Sequence, residues 1–360
     1  MSSLSLLIKP CSSQCNNSCD YCFYADECEN RKTGSYGTMS GAVLEKTVSS
    51  AFEYADGSVS FAFQGGEPTL CGVDFFSRVI GLQKEYNRKN VKVYNSIQTN
   101  GTLIDDAWAE FLAENDFLVG LSLDGCREAH NRYRHFKDGG GTWDKAVSAA
   151  KILARAGVDF NILCVVSGAV AKTPELVYDT LKKYKYIQFI PCIDRMDGKK
   201  REYSLPAAKY GEFLHRIFLL YYRDALGGDP VSVRNFDNYI AMLRGGAPES
   251  CGMTGRCSCV CTVEADGSVY PCDFYALDRY RLGSVMTDTY ADMIGSKTAA
   301  DFIRSSLSVA DECRACRYYP LCRGGCRRDR EPFPSLNKYC ASYKYFFDRD
   351  LEKLTELAFG

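Results

Sequence analysis

Short apolar segments alternate with amphipathic ones along the first 190 residues of the chain. Six segments rich in Val, Ile, Leu and Phe have the character of buried parallel strands, at 5–9, 59–64, 91–98, 117–123, 158–166 and 186–190. Apolar residues at helical spacing predict helices between them, at 40–54, 73–86, 105–114, 142–156 and 174–184. Asp105 and Thr142 suit N-caps, and Gly157 suits a helix stop. Six βα units predict an α/β fold with a parallel sheet and partial-barrel curvature, a (β/α)6 arrangement.

The pattern changes after about residue 200. A longer helix is predicted at 205–226, then a short strand and helix, and a last helix at 342–358. From Cys251 onward the sequence is rich in Cys and turns, and Ala265-Asp266-Gly267 predicts a hairpin between 260–264 and 268–272. We therefore predict two domains, 1–235 and 236–360.

Cysteine is the unusual part of the composition. The chain has 19 cysteines in 360 residues, an odd count, with no visible signal peptide. No apolar run reaches the roughly 18 residues of a membrane span, so we expect a cytoplasmic protein whose thiols stay reduced. A net charge of −1 predicts no general attraction to nucleic acid or to membranes. So many reduced thiols indicate bound metal.

A first group of cysteines, Cys15-x3-Cys19-x2-Cys22, follows the first predicted strand. Three thiolates can hold three irons of a [4Fe–4S] cluster and leave the fourth iron open to a small molecule. From spacing alone, a zinc site completed by His or by Cys11 or Cys28 is the alternative.

With Tyr21 between its last two cysteines, this motif resembles the signature of the radical S-adenosylmethionine (SAM) enzymes. The segment 64–68, Gln-Gly-Gly-Glu-Pro, resembles the GGE motif of the same family, and its glycines permit close approach of a ligand. The resemblance implies that SAM is a cofactor. The residues matching SAM-contacting positions are Tyr21, Gln64, Gly65, Gly66, Glu67, Ser122, Arg134 and Ile193.

The C-terminal cysteines resemble the SPASM domain of radical SAM enzymes that modify peptides. Eight thiolates fit two fully ligated auxiliary [4Fe–4S] clusters, giving three clusters in all, whereas two zinc sites are the alternative. The resemblance implies one ligand set of Cys251, Cys257, Cys272 and Cys326 and another of Cys313, Cys316, Cys322 and Cys340. The eight cysteines without an assigned metal role are Cys11, Cys28, Cys71, Cys126, Cys164, Cys192, Cys259 and Cys261. The arginines at 314–330 are expected to offset cluster charge or to form a solvated face.

Nearly the whole chain is similar to the anaerobic sulfatase-maturating enzymes, especially at 4–10, 60–70, 98–105, 160–166 and 267–275. The resemblance implies oxidation of a Cys or Ser to Cα-formylglycine within a Cys/Ser-x-Pro-x-Arg segment of an unfolded sulfatase. A 5′-deoxyadenosyl radical would remove a hydrogen from the substrate Cβ, and an auxiliary cluster would accept an electron. An electron donor such as flavodoxin or ferredoxin is a further implied partner.

Asp273, directly after Cys272, matches the proposed catalytic Asp of that family, whereas a structural Asp in a turn is the alternative. Gln64, Tyr24 and Asp124 are weaker candidates for the active-site wall or for contacts with the substrate peptide. The alternative function is another SPASM maturase that cross-links, epimerises or otherwise modifies a ribosomal peptide. We expect no leader-binding module before Leu4, which favours sulfatase maturation. A zinc protein without enzymatic activity is the third hypothesis.

Overall fold

A computed structural model describes residues 2–332 and 335–360. The chain folds into two compact units, each built from several segments. The first unit comprises the chain up to Ser122, Arg134–Phe160 and Ser258–Phe302. The second comprises Leu123–Tyr133, Asn161–Cys257 and Ile303–Gly360.

The strands of the described residues are β1 (Leu4–Ile8), β2 (Asn17–Cys19), β3 (Ser58–Phe63), β4 (Lys92–Thr99), β5 (Phe117–Ser122), β6 (Arg134–Phe136), β7 (Phe160–Val166), β8 (Tyr186–Pro191), β9 (Ser232–Val233), β10 (Cys261–Val263), β11 (Ser268–Tyr270) and β12 (Gly283–Ser284). The α-helices are α1 (Phe23–Glu29), α2 (Gly41–Tyr54), α3 (Gly72–Tyr86), α4 (Asp106–Glu114), α5 (Arg127–Tyr133), α6 (Trp143–Arg155), α7 (Pro174–Leu181), α8 (Ala207–Leu226), α9 (Arg234–Leu243), α10 (Tyr290–Gly295), α11 (Lys297–Ser306), α12 (Asp311–Arg314), α13 (Tyr319–Cys322) and α14 (Cys340–Phe359).

A mostly parallel sheet forms the core of the first unit. Strands β1, β3, β4 and β5 pair in parallel in the order of the sequence, as consecutive βα units require. Side chains alternate along β3, so that Val59, Phe61 and Phe63 are buried. Phe63 packs edge-on against Phe76 of α3, with the ring centroids 4.9 Å apart. The predicted parallel α/β architecture is confirmed.

The hairpin predicted around residues 265–267 forms as β10 and β11, which pair antiparallel. Its first strand also pairs in parallel with β1, with Leu6 opposite Cys261. The segment 258–302 therefore packs within the first unit, although the sequence places it in the predicted second domain. The domain boundary at residue 235 stays a prediction.

In the second unit, β7, β8 and β9 are parallel and α8 lies against α14. The two helices approach closely at Gly211, where an added Cβ would lie 3.0 Å from the Cα of Ser342. Phe218 and Phe346 meet edge-on in the same interface, at 5.5 Å between centroids. No helix among the described residues combines the length and the hydropathy needed to cross a bilayer.

Most predicted helices form, and their ends follow local chemistry. The Asp105 side chain caps α4 by accepting a hydrogen bond from the Trp108 N–H at 2.9 Å. Gly157 follows α6 at a φ of +72°, as a helix stop should. Thr142 occupies the N-cap position of α6 without a capping bond, because its backbone, at φ −102° and ψ −3°, is not extended as in a usual N-cap. Its hydroxyl donates to the Arg134 carbonyl at 3.2 Å.

Candidate active site and cluster sites

The N-terminal cysteine motif lies in the loop between β1 and α1, and polar N–H groups point at its sulfurs. The Asn17 backbone N–H donates to Cys15 Sγ at 3.4 Å, and Asn100 Nδ2 approaches the same sulfur at 3.9 Å. Arg134 Nη1 approaches Cys19 Sγ at 4.0 Å. Burial raises the pKa of Cys15 to about 11, so its thiolate needs a compensating positive charge.

A small two-stranded sheet fixes Arg134 beside this motif. Strands β2 and β6 pair antiparallel, with Cys19 directly opposite Arg134. The buried guanidinium also faces the Tyr21 ring at 5.4 Å. Two candidates distant in sequence, Tyr21 and Arg134, are thus brought together with one of the three cysteines.

The segment at the end of β3 lies directly on the cysteine loop. Gly65 and Gly66 have φ values of +100° and +56°. A Cβ added at Gly66 would lie 2.1 Å from the Gln14 carbonyl oxygen and 2.7 Å from that of Ser12. The Glu67 N–H donates to the same Gln14 oxygen at 2.8 Å. Glycine is therefore required here both by the backbone conformation and by the close contact.

Glu67 anchors this segment to the carboxyl end of β4. Its side chain, 1% exposed, accepts hydrogen bonds from Thr69 N and Oγ1 at 3.1 and 2.6 Å. It also accepts from Thr99 Oγ1 at 2.7 Å and from Asn100 N at 2.8 Å. Burial raises the pKa of Glu67, although these hydrogen bonds oppose the shift. The carboxyl is a structural support for the glycine backbone.

The donor set in this region fits a SAM-binding [4Fe–4S] cluster. Three thiols with N–H groups aimed at their sulfurs suit iron ligation. The positive-φ glycines leave a ligand room to approach the backbone. A buried Arg134 suits a carboxylate, and the buried Ser122 ends β5 at the carboxyl edge of the same sheet.

Asp273 lies in the first unit, just after β11, and is held by two side chains. Lys9 Nζ forms an ion pair with Asp273 Oδ1, and Gln64 Nε2 donates to Oδ2 at 3.0 Å. The Asp273 side chain keeps 13% exposure, whereas the Lys9 side chain has none. One face of the carboxylate is therefore fixed by the protein, and the carboxylate is still reachable from outside.

Lys9 lies in an unusually acidic and aromatic environment. Its ammonium stands 3.7 Å from the centroid of the Tyr24 ring. Burial by itself lowers the pKa of Lys9, but attraction to Asp273, Glu264 and Glu27 outweighs burial and raises it above the ordinary 10.5. Lys9 is therefore charged at neutral pH. Its electrostatic contribution to stability is present below 10.5 and disappears as the pH rises through the raised pKa.

The same buried network continues away from Asp273. The Tyr24 hydroxyl donates to Glu264 Oε1, and Arg31 Nη1 donates to that oxygen at 2.6 Å. Both side chains of the Arg31–Glu264 pair are fully buried. Of these residues, the sequence motifs indicated Tyr24 as a site candidate but not Lys9, Glu264 or Arg31. The available signal was a charged residue directly after an apolar strand, since Lys9 follows β1 and Glu264 follows β10.

One predicted auxiliary set surrounds a single cavity in the second unit. The space between its walls is about 350 Å³, part of it open to solvent, and the wall includes Cys313, Cys316, Cys322 and Cys340. Tyr318, Tyr319 and Tyr343 complete much of the remaining wall. Four cysteines on the wall of one space suit a cluster that takes four thiolate ligands.

Three members of the other set lie close enough to influence one another. The pKa of Cys326 is raised to about 12, mainly by burial, and the neighbouring thiols of Cys251 and Cys257 contribute to that rise. Burial also raises the pKa of Cys257, which Arg327 and Arg330 oppose. Cys272, the fourth expected ligand, belongs to the first unit, where it directly precedes Asp273.

The arginines of this region divide into two kinds. Arg327 and Arg330 are buried and favour the thiolate of Cys257, as expected for groups that offset cluster charge. Arg314 and Arg317 are exposed and pair on the surface with Asp311 and Asp348, respectively. The expected solvated face is confirmed for Arg314 and Arg317, whereas the offset of cluster charge by Arg327 and Arg330 stays a prediction.

The remaining candidates also have defined places. Ile193 follows β8 in the second unit and is half-buried. Asp124 is buried, and its Oδ1 accepts a hydrogen bond from the Val165 N–H of β7 at 2.8 Å, a structural contact. Among the unassigned cysteines, the Sγ atoms of Cys11 and Cys71 lie 2.6 Å apart.

Comparison with known proteins gives consistent matches. Residues 10–184 match the model of the radical SAM superfamily, and residues 251–317 match an iron–sulfur cluster-binding domain. A cysteine-type anaerobic sulfatase-maturating enzyme of Clostridium perfringens is 47% identical, over 99% of this chain and 99% of the relative. A serine-type enzyme of Bacteroides thetaiotaomicron is 30% identical, over 96% of this chain and 88% of the relative.

A solved structure matches over the same length. It is described as native anSMEcpe with bound AdoMet and Cp18Cys peptide, and it superimposes with a TM-score of 0.95 at 46% identity. The match covers 99% of both chains.

Proposed function

Because this chain belongs to the anaerobic sulfatase-maturating enzymes of the radical SAM superfamily, we propose that it oxidises a cysteine of an unfolded sulfatase segment to Cα-formylglycine. The observation that supports this chemistry most is the Asp273 carboxylate, fixed by Lys9 and Gln64 and still partly exposed. Activity as another SPASM peptide maturase is the weaker alternative, because the relatives that are 47% and 30% identical along nearly the whole chain are sulfatase-maturating enzymes.

The comparisons favour cysteine over serine as the substrate side chain. Identity is 47% to a cysteine-type relative and 30% to a serine-type relative, at similar coverage. The solved structure that superimposes at a TM-score of 0.95 is described with a Cp18Cys peptide. The sequence alone left the two side chains undecided.

In this proposal each residue of the site has a defined task. When bound, SAM and the clusters supply a hydrogen-abstracting 5′-deoxyadenosyl radical and an acceptor for the second electron. Asp273 accepts the proton of the substrate thiol at a carboxylate oxygen. Lys9 holds one carboxylate oxygen by an ion pair, and Gln64 holds the other by a hydrogen bond, so that the orientation of the group is fixed. Tyr24, beneath the Lys9 ammonium, excludes water from that side.

We propose the ligands residue by residue. Cys15, Cys19 and Cys22 hold the cluster that binds SAM. The two auxiliary sets are Cys251, Cys257, Cys272 and Cys326, and Cys313, Cys316, Cys322 and Cys340. The proposed SAM contacts are Tyr21, Gln64, Gly65, Gly66, Glu67, Ser122, Arg134 and Ile193. Of these, Glu67 acts through the backbone it supports.

An anaerobic assay with two peptides tests the function. The reconstituted enzyme with SAM and a reductant should oxidise a Cys-x-Pro-x-Arg peptide at least about 10-fold faster than its Ser-x-Pro-x-Arg counterpart. Mass spectrometry would detect the same aldehyde from both, by exchange of sulfur for oxygen together with loss of two hydrogens in Cys, and by loss of two hydrogens alone in Ser. An Ala-x-Pro-x-Arg peptide is the control. SAM cleavage without aldehyde from either peptide would reject sulfatase maturation.

A Gly66→Ala variant should lose SAM binding. The new methyl group would lie 2.1 Å from the Gln14 carbonyl oxygen, so the glycine segment or the cysteine loop must move. We expect at least about 10-fold weaker SAM binding by equilibrium dialysis, because ligand-supporting contacts commonly contribute this much. Gly37→Ala is the matched control, since Gly37 also has positive φ but has open space around it. Equal SAM affinity in both variants would contradict the proposed site.

The electron donor and the cellular location are further proposals. A small flavin or iron–sulfur protein such as flavodoxin or ferredoxin fits the need for single electrons at low potential. A reducing compartment such as the cytoplasm fits a chain with 19 cysteines, most of which we assign to clusters.

A further inference from the structure

Two cysteines outside the proposed cluster sets are in direct contact. Cys11 follows β1 and is 1% exposed, whereas Cys71 precedes α3 and is partly exposed. Their Sγ atoms lie 2.6 Å apart although the residues are separated by 60 positions. Neither thiol has a task in the proposed reaction.

The pair joins two segments that the proposed active site depends on. Cys11 begins the loop that leads to Cys15, and the Gln14 N–H donates to the Cys11 carbonyl oxygen at 2.9 Å. Cys71 ends the 3₁₀ turn Pro68–Cys71, which begins directly after Glu67. Between these positions, the Glu67 N–H donates to Gln14 at 2.8 Å, so the segments already touch through their backbones.

We propose that Cys11 and Cys71 form a reversible disulfide, which links the cysteine loop covalently to the glycine segment. The two sulfurs already face each other in the fold, so closing the bond requires no large backbone movement.

The exposed side of the pair admits a small oxidant. Leu70 is 42% exposed, and nothing lies within 4 Å of the position that a Cβ at Gly72 would occupy. A low-molecular-weight disulfide can therefore reach Cys71. The Cys71 sulfur attacks that disulfide and releases one small thiol. Cys11 then attacks the Cys71 sulfur of the mixed disulfide and releases the second. Two protein thiols are oxidised, one small disulfide is reduced, and their two protons leave with the two small thiols.

The bond should stabilise the region most when clusters are absent. It closes a loop of about 60 residues, which reduces the freedom of the unfolded chain. It also keeps the cysteine loop against the glycine segment while the cluster ligands are unfilled. We expect the oxidised apoprotein to melt several degrees above the reduced one.

The test treats the cluster-loaded enzyme anaerobically with oxidised glutathione, followed by alkylation and peptide mapping. Trypsin releases a peptide of residues 47–78 whose sole cysteine is Cys71. We expect this peptide to be cross-linked to the N-terminal peptide that ends at Arg31, and dithiothreitol to release it. Two fewer thiols per chain should be alkylated, and iron content should stay unchanged.

Single-cysteine variants identify the two residues that form the disulfide. Cys11→Ala and Cys71→Ala should each abolish the cross-link, and Cys71→Ala should also prevent any mixed disulfide in that peptide. Cys28→Ala is the matched control, because it removes an unassigned cysteine of the same N-terminal peptide and should leave the cross-link intact. A glutathione adduct that persists on Cys71, full alkylation of both thiols, or a cross-link retained in Cys11→Ala would each overturn the proposal.

Discussion

An Asp273→Asn variant is expected to oxidise the cysteine peptide about 10²- to 10⁴-fold more slowly while still binding SAM. Asparagine has nearly the same shape, and its single amide oxygen can still accept a hydrogen bond from Lys9, whereas its NH2 group takes the place of the oxygen that accepts from Gln64. It cannot take up the thiol proton. The loss should therefore appear in kcat more than in KM, because the peptide-binding surface is retained.

Asp278→Asn is the matched control for this variant. Asp278 is exposed and lies five residues further along the same segment, where its carboxylate accepts the Lys32 N–H at 2.9 Å. This control should mature peptide at the wild-type rate. Single-turnover assays of aldehyde formation, run with SAM-binding measurements, separate chemistry from binding. A wild-type kcat in Asp273→Asn would mean that Asp273 has only a structural role.

A Cys316→Ala/Cys340→Ala double variant should lose one whole cluster and at least about 100-fold in maturation rate. Both cysteines line the cavity of about 350 Å³ in the second unit. The two remaining thiols of that cavity cannot supply the four ligands of a saturated cluster. Without that cluster, one acceptor for the second electron that the substrate gives up is missing.

Iron analysis and Mössbauer spectroscopy check this result. The reconstituted wild-type enzyme should hold about twelve irons per chain, and the double variant about eight. Cys28→Ala should keep the full iron content, because Cys28 lies outside the proposed ligand sets. Zinc at the cavity in the wild-type protein, or full iron in the double variant, would refute the ligand assignment.

Local sequence signals predicted the regular elements well. All six predicted parallel strands form, because continuous apolar segments mark strands that are buried on both faces. The cap of α4 follows from Asp105, whose side chain bonds to a residue only three positions away. The long helices α8 and α14 were visible because their buried positions repeat with helical period.

Elements that depend on distant partners were missed. The three-residue strands β2 and β6 have too little pattern of their own, and each exists through its partner across about 115 residues. Thr142 was expected to cap α6, but its hydroxyl instead donates a hydrogen bond to a carbonyl of β6. The helix α11 was also missed, although the stretch between Cys272 and Cys313 that contains it holds no cysteine.

By itself, the sequence determined the α/β architecture, because local periodicity encodes it, and the resemblance of its motifs identified the family. Tertiary structure alone decided the surroundings of Asp273. The hairpin at 260–272 was visible, but its parallel pairing with β1 was not, because strand pairing depends on chain-distant register. That pairing places β10 and the segment after β11 beside Lys9 and Gln64, so that an ion pair and a hydrogen bond orient the Asp273 carboxylate.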